Sequence, residues 1–371
     1  MTDIHLAASP TATRLASVLA SQNPHPEVSV YRGVVTPVEL DVRSREIEAL
    51  VSAAAVHDLG WLRRVAVRGE DRFRWLSGMV TNTVNGLAPN AGAWNLVLNA
   101  QGRIQGDLTV WRDGEDLELE IEADQHDRLM AHLDRFIIMD DVELADLDGE
   151  SAIGLTGARA GDVLGRLGLP VLPEPLTQTR AEWDGTRVLI RRGYGVLAEH
   201  YTLWVSAEKM GVLWQAVCAA GAQPTGSAAL EAFRIAEGIP AYGIDIAERD
   251  LAQETSQMRA LSFDKGCYLG QEIVERIRSR GNVHRHLRTL ELDGSAPEPG
   301  TKLAQDTADA GQITSAAELS LASGTRVFAI GMIRAEAEVR KQPLTYTTKA
   351  GTGTQEETAG TARVLAAPPT F

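Results

Sequence analysis

The chain has 371 residues, of which 44% are hydrophobic and 23% charged, and its formal net charge is −14. These values are typical of a soluble globular protein with two or three domains, and the negative charge disfavours nucleic acid and anionic membranes as partners. No apolar run approaches the roughly 18 residues that span a bilayer, and residues 1–25 lack the basic start and apolar core of a secretory signal, so we expect a cytoplasmic protein.

In chain order, composition and periodicity divide the sequence into a leader, two similar halves and a smaller C-terminal region. Residues 1–30 are expected to be a poorly ordered leader that contains a short helix around residues 13–20. The two halves are predicted to cover about 31–150 and 151–283, and the C-terminal region covers 284–371.

A weak internal repeat organises residues 60–240. In the first half, residues 62–67 and 117–121 have the pattern of strands that each lead into a helix. In the second half, residues 152–155 and 201–205 have the same pattern and position. Each half is therefore predicted to follow the order strand-helix-strand-strand-helix-strand, which is the ferredoxin-like order.

After the repeat, residues 230–236 have the pattern of a helix, and the Gly-Ile-Pro sequence at 238–240 ends it. From about residue 284 onward, short alternating segments are separated by Gly- and Pro-rich turns, and residues 326–333 form a strongly apolar strand. This pattern predicts a small β-barrel or sandwich. Residues 345–360 are rich in Thr, Gly and Glu and are predicted to be an exposed loop.

The most distinctive block is KGCYLGQE at residues 265–272, which places Cys267 beside Lys265 and just before a helix-like segment. A lysine and a helix N-terminus both stabilise thiolate over thiol, so this block predicts a reactive sulfur. The alternative is a small buried side chain in a tight turn. The other cysteine, Cys218, follows apolar residues at helical spacing and is predicted to belong to the core.

The segment 276–288 is basic although the chain as a whole is acidic. Its basic residues are Arg276, Arg278, Arg280, His284, Arg285, His286 and Arg288. Such a patch indicates a local anionic ligand, such as a carboxylate or a phosphate. The alternative is a solvated, salt-bridged helix end.

The KGCYLGQE block, with Arg276 and Arg280-Gly281 behind it, resembles the signature of the YgfZ family of folate-binding proteins. That family is related to the glycine-cleavage T-protein, an aminomethyltransferase, and is implicated in the assembly or repair of iron–sulfur clusters. Weaker similarities extend the resemblance over about residues 35–340. They lie at residues 69–82, 102–108, 234–240, 299–303 and 311–315.

The resemblance implies an α+β, T-protein-like fold in which two ferredoxin-like lobes form a folate-binding domain over 31–283, followed by a small β-barrel. It also implies that tetrahydrofolate or a derivative binds in a cavity where the lobes meet. Asp107 matches the T-protein's active-site carboxylate near the reactive nitrogen of the folate, where it would orient an amine or assist proton transfer. Trp94 matches an aromatic residue that lies against the folate ring system. The alternatives are a surface carboxylate and an ordinary core tryptophan.

The remaining implied folate-binding residues are Arg234, Glu254, Lys265, Tyr268, Gln271, Glu272, Arg276 and Arg280. Lys265, Arg276 and Arg280 would bind the glutamyl carboxylates, and Tyr268, Gln271 and Glu272 would fix the geometry around the sulfur. Gln271 and Glu272 also suit the first turn of a helix, and Glu254 also suits a solvated surface.

One departure from the T-protein pattern concerns its Arg-x-Glu-x-Gly block, whose glutamate grips the pterin ring. Here Arg234 is followed by alanine at position 236, and Glu237 points about 100° away on a helix. The departure disfavours glycine-cleavage chemistry. It is consistent with a YgfZ-like protein.

Three functions are therefore weighed. The first is a tetrahydrofolate-binding accessory protein that supports iron–sulfur proteins through a catalytic Cys267. The second is a folate-dependent aminomethyl- or methyltransferase that uses Asp107, and the third is a non-catalytic folate sensor. No residue spacing indicates a metal site, and His57, His126, His132 and His200 are predicted to be structural.

Overall fold

The computed structural model describes residues 10–20, 25–281, 283–340, 342–349 and 357–371. The α-helices in these ranges are α1 (Arg14–Leu19), α2 (Arg43–Ser52), α3 (Arg72–Met79), α4 (Ala123–Asp134), α5 (Ala160–Arg166), α6 (Met210–Ala219), α7 (Ser227–Glu237), α8 (Gln271–Arg280) and α9 (Ala335–Arg340). The strands of the two lobes are β1 (Val28–Tyr31), β2 (Val34–Pro37), β3 (Ala55–Asp58), β4 (Leu62–Arg68), β5 (Gly92–Leu98), β6 (Ile104–Asp113), β7 (Asp116–Glu122), β8 (Glu143–Asp146), β9 (Glu150–Thr156), β10 (Thr177–Trp183), β11 (Thr186–Arg192), β12 (His200–Ser206) and β13 (Gln223–Thr225). The strands that follow are β14 (Arg285–Asp293), β15 (Lys302–Gln305), β16 (Ala308–Leu321), β17 (Gly324–Arg334), β18 (Leu344–Lys349) and β19 (Glu357–Val364).

The first sheet has the strand order β5-β6-β7-β4-β8, and all neighbouring pairs are antiparallel. Leu129 and Leu133 lie four residues apart on α4, and both are buried with Val65 and Leu119 of the sheet. This spacing places the apolar stripe of α4 on the sheet. The ferredoxin-like order predicted for this half is present, and β5 is an additional edge strand.

The second sheet has the order β10-β11-β12-β9-β3-β13. Its strands β10-β11-β12-β9 correspond to β5-β6-β7-β4 of the first sheet, but β3 is inserted before the last strand, β13. Strand β3 comes from before the first sheet in sequence, yet it pairs antiparallel with β9 and parallel with β13. Strand β3, which belongs to the predicted first half of the chain, is therefore part of the second sheet.

Part of the predicted leader is packed on this second sheet. The expected short helix is α1, whose N-cap residue Thr13 accepts a 3.0 Å hydrogen bond from the backbone N–H of Ala16. Leu15 and Leu19 are buried with the apolar side chains of the second sheet and α6. Residues 1–9 and 21–24 of the predicted leader lie outside the described residues.

The two sheets are joined by a buried ionic network. Arg191 of β11 is fully buried, and its Nη1 lies 2.8 Å from Oε2 of Glu120 on β7. The same guanidinium contacts the carboxylate of Glu118, which also pairs with Arg64 at 2.8 Å. Because removing one member would leave an uncompensated buried charge, this network fixes the lobes against each other.

The C-terminal strands form a closed barrel with the order β14-β17-β16-β15-β18-β19, as the sequence predicted. The prediction of an exposed loop over 345–360 was wrong at both ends, because residues 345–349 belong to β18 and residues 357–360 to β19. Leu344 and Tyr346 both point into the barrel core, as alternate residues of a strand do. The threonines beside them made the segment look like a polar loop in the sequence. Residues 350–356 lie outside the described residues. Among the described residues, no helix is long and apolar enough to cross a membrane.

Candidate functional site

A cavity of about 270 Å³ lies where the two sheets meet helix α7. Trp94 and Asp107 line it from the first sheet, Thr156 and His200 line it from the second sheet, and Phe233 lines it from α7. A concave site with apolar walls and a few convergent polar groups is the usual setting for a small-molecule ligand. The cavity is therefore the candidate binding site.

Asp107 is held in the cavity wall by three hydrogen bonds. Its Oδ2 accepts from Nε1 of Trp94 at 2.8 Å, and its Oδ1 accepts from Nε2 of Gln125 at 3.1 Å. The Asp107 backbone N–H in turn donates to Oε1 of Gln125 at 3.0 Å. Burial raises the pKa of Asp107, while the bonds from Trp94 and Gln125 oppose that rise. A Cβ at position 106 would lie 2.8 Å from the Gln125 oxygen, so a larger residue there would displace the side chain that orients Asp107.

A second carboxylate, Glu122, lies beside Asp107. The amide Nε2 of Gln125 also donates to Oε2 of Glu122, at 3.3 Å, so one amide bridges two carboxylates. Burial raises the pKa of Glu122 to about 7, and the negative charges of Asp107 and Asp124 act in the same direction. The guanidinium of Arg32 opposes these effects. The site therefore combines two acidic groups whose protons are held more tightly than in water.

The tip of the β1–β2 hairpin forms another part of the wall. Tyr31 donates a 3.0 Å hydrogen bond from its hydroxyl to Oε2 of Glu231 on α7. Arg32 follows it with a φ of 49°, a left-handed conformation that non-glycine residues adopt at a cost. Sequence reasoning missed both residues, and the only local signal was the glycine after Arg32.

A hydrogen-bonded chain of four side chains runs along the second-sheet wall. His57 Nε2 lies 2.9 Å from Oγ1 of Thr156, which lies 3.0 Å from Nδ1 of His200, and His200 Nε2 lies 3.0 Å from Oε2 of Glu237. Burial lowers the pKa of His57 to about 3. Burial also disfavours charge on His200, but the Glu237 carboxylate outweighs it and raises the His200 pKa. Both histidines therefore line the cavity and are linked through Thr156, although nothing in their sequence spacing indicated this.

Glu237, which follows Ala236, lines the cavity and is hydrogen-bonded within the protein. Its Oε1 accepts hydrogen bonds from the backbone N–H groups of Val196 and Leu197, at 3.0 and 2.9 Å, in addition to its bond with His200. Ala236 itself is fully buried in the core. Position 236 therefore offers no side-chain acceptor to a ligand, and Oε1 of Glu237 is used within the protein.

Arg234 lines the cavity, but all five of its N–H donors are engaged within the protein. Nε and one Nη2 proton bond Glu231, and Nη1 bonds the Ile239 carbonyl at 2.7 Å and Asp245 at 2.6 Å. The second Nη2 proton bonds Ser315 of the barrel at 3.3 Å. Arg234 therefore joins α7 to the barrel and has no donor left for a ligand.

The cysteine block lies apart from the cavity. Among the described residues that line the cavity, none comes from residues 265–280. Cys267 is an exposed free thiol, four residues before the start of α8. Cys218 is half-buried, and burial raises its pKa to about 11.

Lys265 has a structural contact that differs from its predicted role. Its Nζ donates to the carbonyl oxygens of Ser77, Val80 and Asn82, at 2.7, 2.6 and 2.8 Å. These three bonds use all its protons and satisfy carbonyls at the C-terminal end of α3 and in the segment just after it, so no donor remains for a folate carboxylate. Burial lowers the pKa of Lys265 to about 8.

The two ends of the KGCYLGQE block also pack within the protein. Gly270 has a φ of +81°, and a Cβ there would lie 2.6 Å from the Asn99 carbonyl oxygen. Close approach to the turn after β5 therefore explains this glycine. Tyr268 is buried in the central core, where burial raises its pKa to about 12. Gln271 and Glu272 form the first turn of α8, which is the alternative that the sequence left open.

The basic segment is largely paired with the body of the protein. Arg285 of β14 binds Glu254 at 3.0 Å and Asp250 at 2.8 Å, so Glu254 ties the barrel to the lobes and does not line the cavity. Arg276 and Arg280 are exposed on α8 and have no ion pair among the described residues. They could meet an anion at the surface, but not inside the cavity. No group of three or more His, Cys, Asp or Glu side chains in the described ranges could hold a metal ion.

Comparisons with known proteins agree with this architecture. Residues 28–265 match the family described as the GCVT N-terminal domain. The chain is 27% identical over 319 residues to an aminomethyltransferase of Geobacillus kaustophilus, covering 83% of this chain and 86% of that protein. It is 25% identical over 297 residues to an aminomethyltransferase of Halalkalibacterium halodurans, covering 76% of this chain and 80% of that protein.

A solved structure shows the same fold at low identity. The glycine cleavage system aminomethyltransferase T from Bartonella henselae superposes with a TM-score of 0.83 at 17% identity. The superposition covers 96% of this chain and 97% of that one. The expected architecture of two ferredoxin-like lobes and a C-terminal barrel is therefore confirmed.

Proposed function

This chain belongs to the GCVT N-terminal domain family, and from that membership we propose that it binds tetrahydrofolate or a derivative in the cavity between the two sheets. The observation that carries the proposal is the placement of Trp94 and Asp107 in one cavity wall, joined by a 2.8 Å hydrogen bond. An aromatic face suits stacking on a flat heterocycle, and a carboxylate suits its N–H donors.

Asp107 would act on an amine nitrogen of the bound folate. Because burial raises its pKa, the carboxyl group is closer to the neutral range in which a side chain can both accept and return a proton. Gln125 fixes its orientation through two hydrogen bonds. The neighbouring Glu122, with a pKa of about 7, would hold or release a second proton.

Within this class we propose an accessory role in iron–sulfur protein assembly or repair in place of glycine cleavage. The support is threefold: the resemblance of the KGCYLGQE block, the buried Ala236 at the pterin-gripping position, and the exposed thiol of Cys267. Thiolates are the preferred protein ligands of iron–sulfur clusters. Since one thiol cannot hold a cluster, Cys267 would act together with groups of a client protein.

The second candidate is a folate-dependent aminomethyl- or methyltransferase. It is favoured by the similarity to aminomethyltransferases and by the buried Asp107 in the cavity. This reaction requires Asp107 and has no use for Cys267. A non-catalytic folate sensor would require ligand binding alone.

Two single variants separate these functions, with Asp116→Asn as a control because Asp116 is exposed at the start of β7. Asp107→Asn and Cys267→Ser are expected to fold, and each should fail to restore iron–sulfur enzyme activity in a deletion strain. Turnover of an amine donor with tetrahydrofolate that needs Asp107 but ignores Cys267 would establish the transferase. Wild-type protein that binds no tetrahydrofolate would overturn the proposal altogether.

A further inference from the structure

Arg32 places a buried guanidinium in the cavity wall. The residue is 7% exposed and stands at the tip of the β1–β2 hairpin. The tip is pressed against the start of α4, because a Cβ at Gly33 would lie 2.9 Å from the backbone nitrogen of Asp124. Arg32 and Gly33 are the two loop residues of this hairpin, and such a turn requires the positive φ values of 49° and 85° that they have. The close approach of Gly33 to α4 then fixes where the loop lies.

Some of the N–H donors of the Arg32 guanidinium lack a hydrogen-bond acceptor among the described residues. Nη2 donates to Oε2 of Glu231 at 3.4 Å, and Nη1 lies 3.5 Å from Oε2 of Glu122 without forming a hydrogen bond. Within the described part of the chain, Nε and Nη1 are buried and have no hydrogen-bond acceptor. Since buried donors are costly to leave unsatisfied, a bound ligand that accepts from them would be stabilised.

The acidic residues around Arg32 determine whether a charged or an uncharged ligand acceptor is favoured there. Glu122, Glu231, Asp107 and Asp124 all lie close enough to interact electrostatically with the Arg32 guanidinium. The other guanidinium of the cavity wall, that of Arg234, is already paired with Glu231 and Asp245. A ligand carboxylate would add a further acidic group to a site in which the pKa values of Asp107 and Glu122 are already raised, at a cost in like-charge repulsion. An uncharged oxygen meets the unpaired donors without that cost.

We propose that Arg32 binds a carbonyl oxygen at the pterin end of the folate, an inference that rests on the proposed function. Two such oxygens exist in reduced folates: the 4-oxo group of the ring and the oxygen of a formyl group on N5. Both lie at the end of the molecule that Asp107 would face. The glutamyl tail, which is anionic, would point away from Arg32.

The test measures the affinities of Arg32→Gln and wild-type protein for three ligands. The ligands are tetrahydrofolate, 5-formyltetrahydrofolate and a tetrahydrofolate analogue with a 4-amino group, which lacks the ring oxygen. Arg43→Gln serves as the control, because Arg43 is exposed and pairs with Glu39 at the surface. Arg32→Lys, which keeps the charge but loses the fork of donors, is measured alongside in case Arg32→Gln fails to fold.

If the ring oxygen is the acceptor, the variant loses about tenfold or more in affinity for tetrahydrofolate and little for the 4-amino analogue. If the formyl oxygen is the acceptor, only the affinity for 5-formyltetrahydrofolate falls. Equal losses for all three ligands, or no loss for any, would overturn the role of Arg32. A wild-type protein that binds none of them would instead overturn the proposed function.

Discussion

The indole Nε1 of Trp94 donates a 2.8 Å hydrogen bond to Oδ2 of Asp107 across neighbouring strands of the first sheet. A bond from a neutral donor to a carboxylate favours the charged form, so Trp94 opposes the effect of burial on the Asp107 pKa. One face of the same indole lies near the guanidinium of Arg259, 5.0 Å from the ring centroid. Trp94 is thus an electrostatic partner of the carboxylate as well as an aromatic wall.

Trp94→Phe keeps the aromatic face and removes this hydrogen bond. The Asp107 pKa should rise further, so the pH below which tetrahydrofolate binding weakens should move upward. The pH dependence of the dissociation constant measures this. Trp61→Phe is the matched control, because Trp61 also lines the cavity but donates to the Asp58 backbone carbonyl. Identical profiles for Trp94→Phe and wild type would contradict the role assigned to the bond.

Glu122 should make the stability of the fold depend on pH. Its pKa is about 7 in the folded state against 4.5 for the unperturbed group, so the folded protein binds the extra proton between these values. The contribution of this proton to the free energy of unfolding is therefore fully present below about pH 4.5 and is lost as the pH rises through about 7. Glu122→Gln, which mimics the protonated form, should gain thermal stability relative to wild type at pH 8 and gain less at pH 5.

Melting temperatures of both proteins at the two pH values check this expectation. Glu115→Gln is the control, because the side chain of Glu115 is largely exposed. A difference between Glu122→Gln and wild type that is the same at pH 5 and pH 8 would show that Glu122 does not retain its proton in the fold.

Gly154 is required by the histidine that begins the hydrogen-bonded chain. A Cβ at this position would lie 1.9 Å from Cε1 of His57, so Gly154→Ala must displace the ring or the strand. We expect a loss of about 1–3 kcal/mol in the free energy of unfolding, together with weaker folate binding. Gly165→Ala is the matched control in helix α5, where a Cβ would have no described side chain or other element within 4 Å, and it should gain about 0.5–1 kcal/mol. Chemical denaturation that ranks the two variants equally would refute this account of Gly154.

The two cysteines should differ sharply in reactivity. Cys267 is exposed, whereas burial raises the pKa of Cys218 to about 11, so alkylation of the native protein should modify Cys267 first and alone. Peptide mapping after brief treatment with iodoacetamide measures this. Cys267→Ser should leave the free energy of unfolding within about 0.5 kcal/mol of wild type, as for other surface changes. Preferential labelling of Cys218 would contradict this assignment.

The sequence predicted the repeated halves and the barrel because helix and strand periodicities are local properties. It also placed Trp94 and Asp107 at the site through resemblance, and the structure puts both in one cavity wall. It could not predict the histidine chain, because His57 lies 99 residues from Thr156 along the sequence. The pairing of β3 with β9 brings them together, and such pairing has no local signal.

The contacts of Lys265 also could not be predicted, because they too join residues that are distant in the sequence. Its neighbours in the sequence suggested an anion-binding lysine, yet its acceptors are carbonyl oxygens 183 to 188 residues away. The C-terminal end of a helix carries unsatisfied carbonyls, and a buried ammonium can meet three of them at once. Only the three-dimensional structure shows that the C-terminal end of α3 lies beside Lys265.

The central claim is that a reduced folate occupies the cavity with its reactive end at Asp107. The most direct measurement is a crystal structure of the wild-type protein in complex with tetrahydrofolate. We predict density for the pterin ring between the two sheets, with a ring nitrogen within hydrogen-bond distance of the Asp107 carboxylate. A folate bound elsewhere on the surface, with the cavity filled only by water, would contradict the claim.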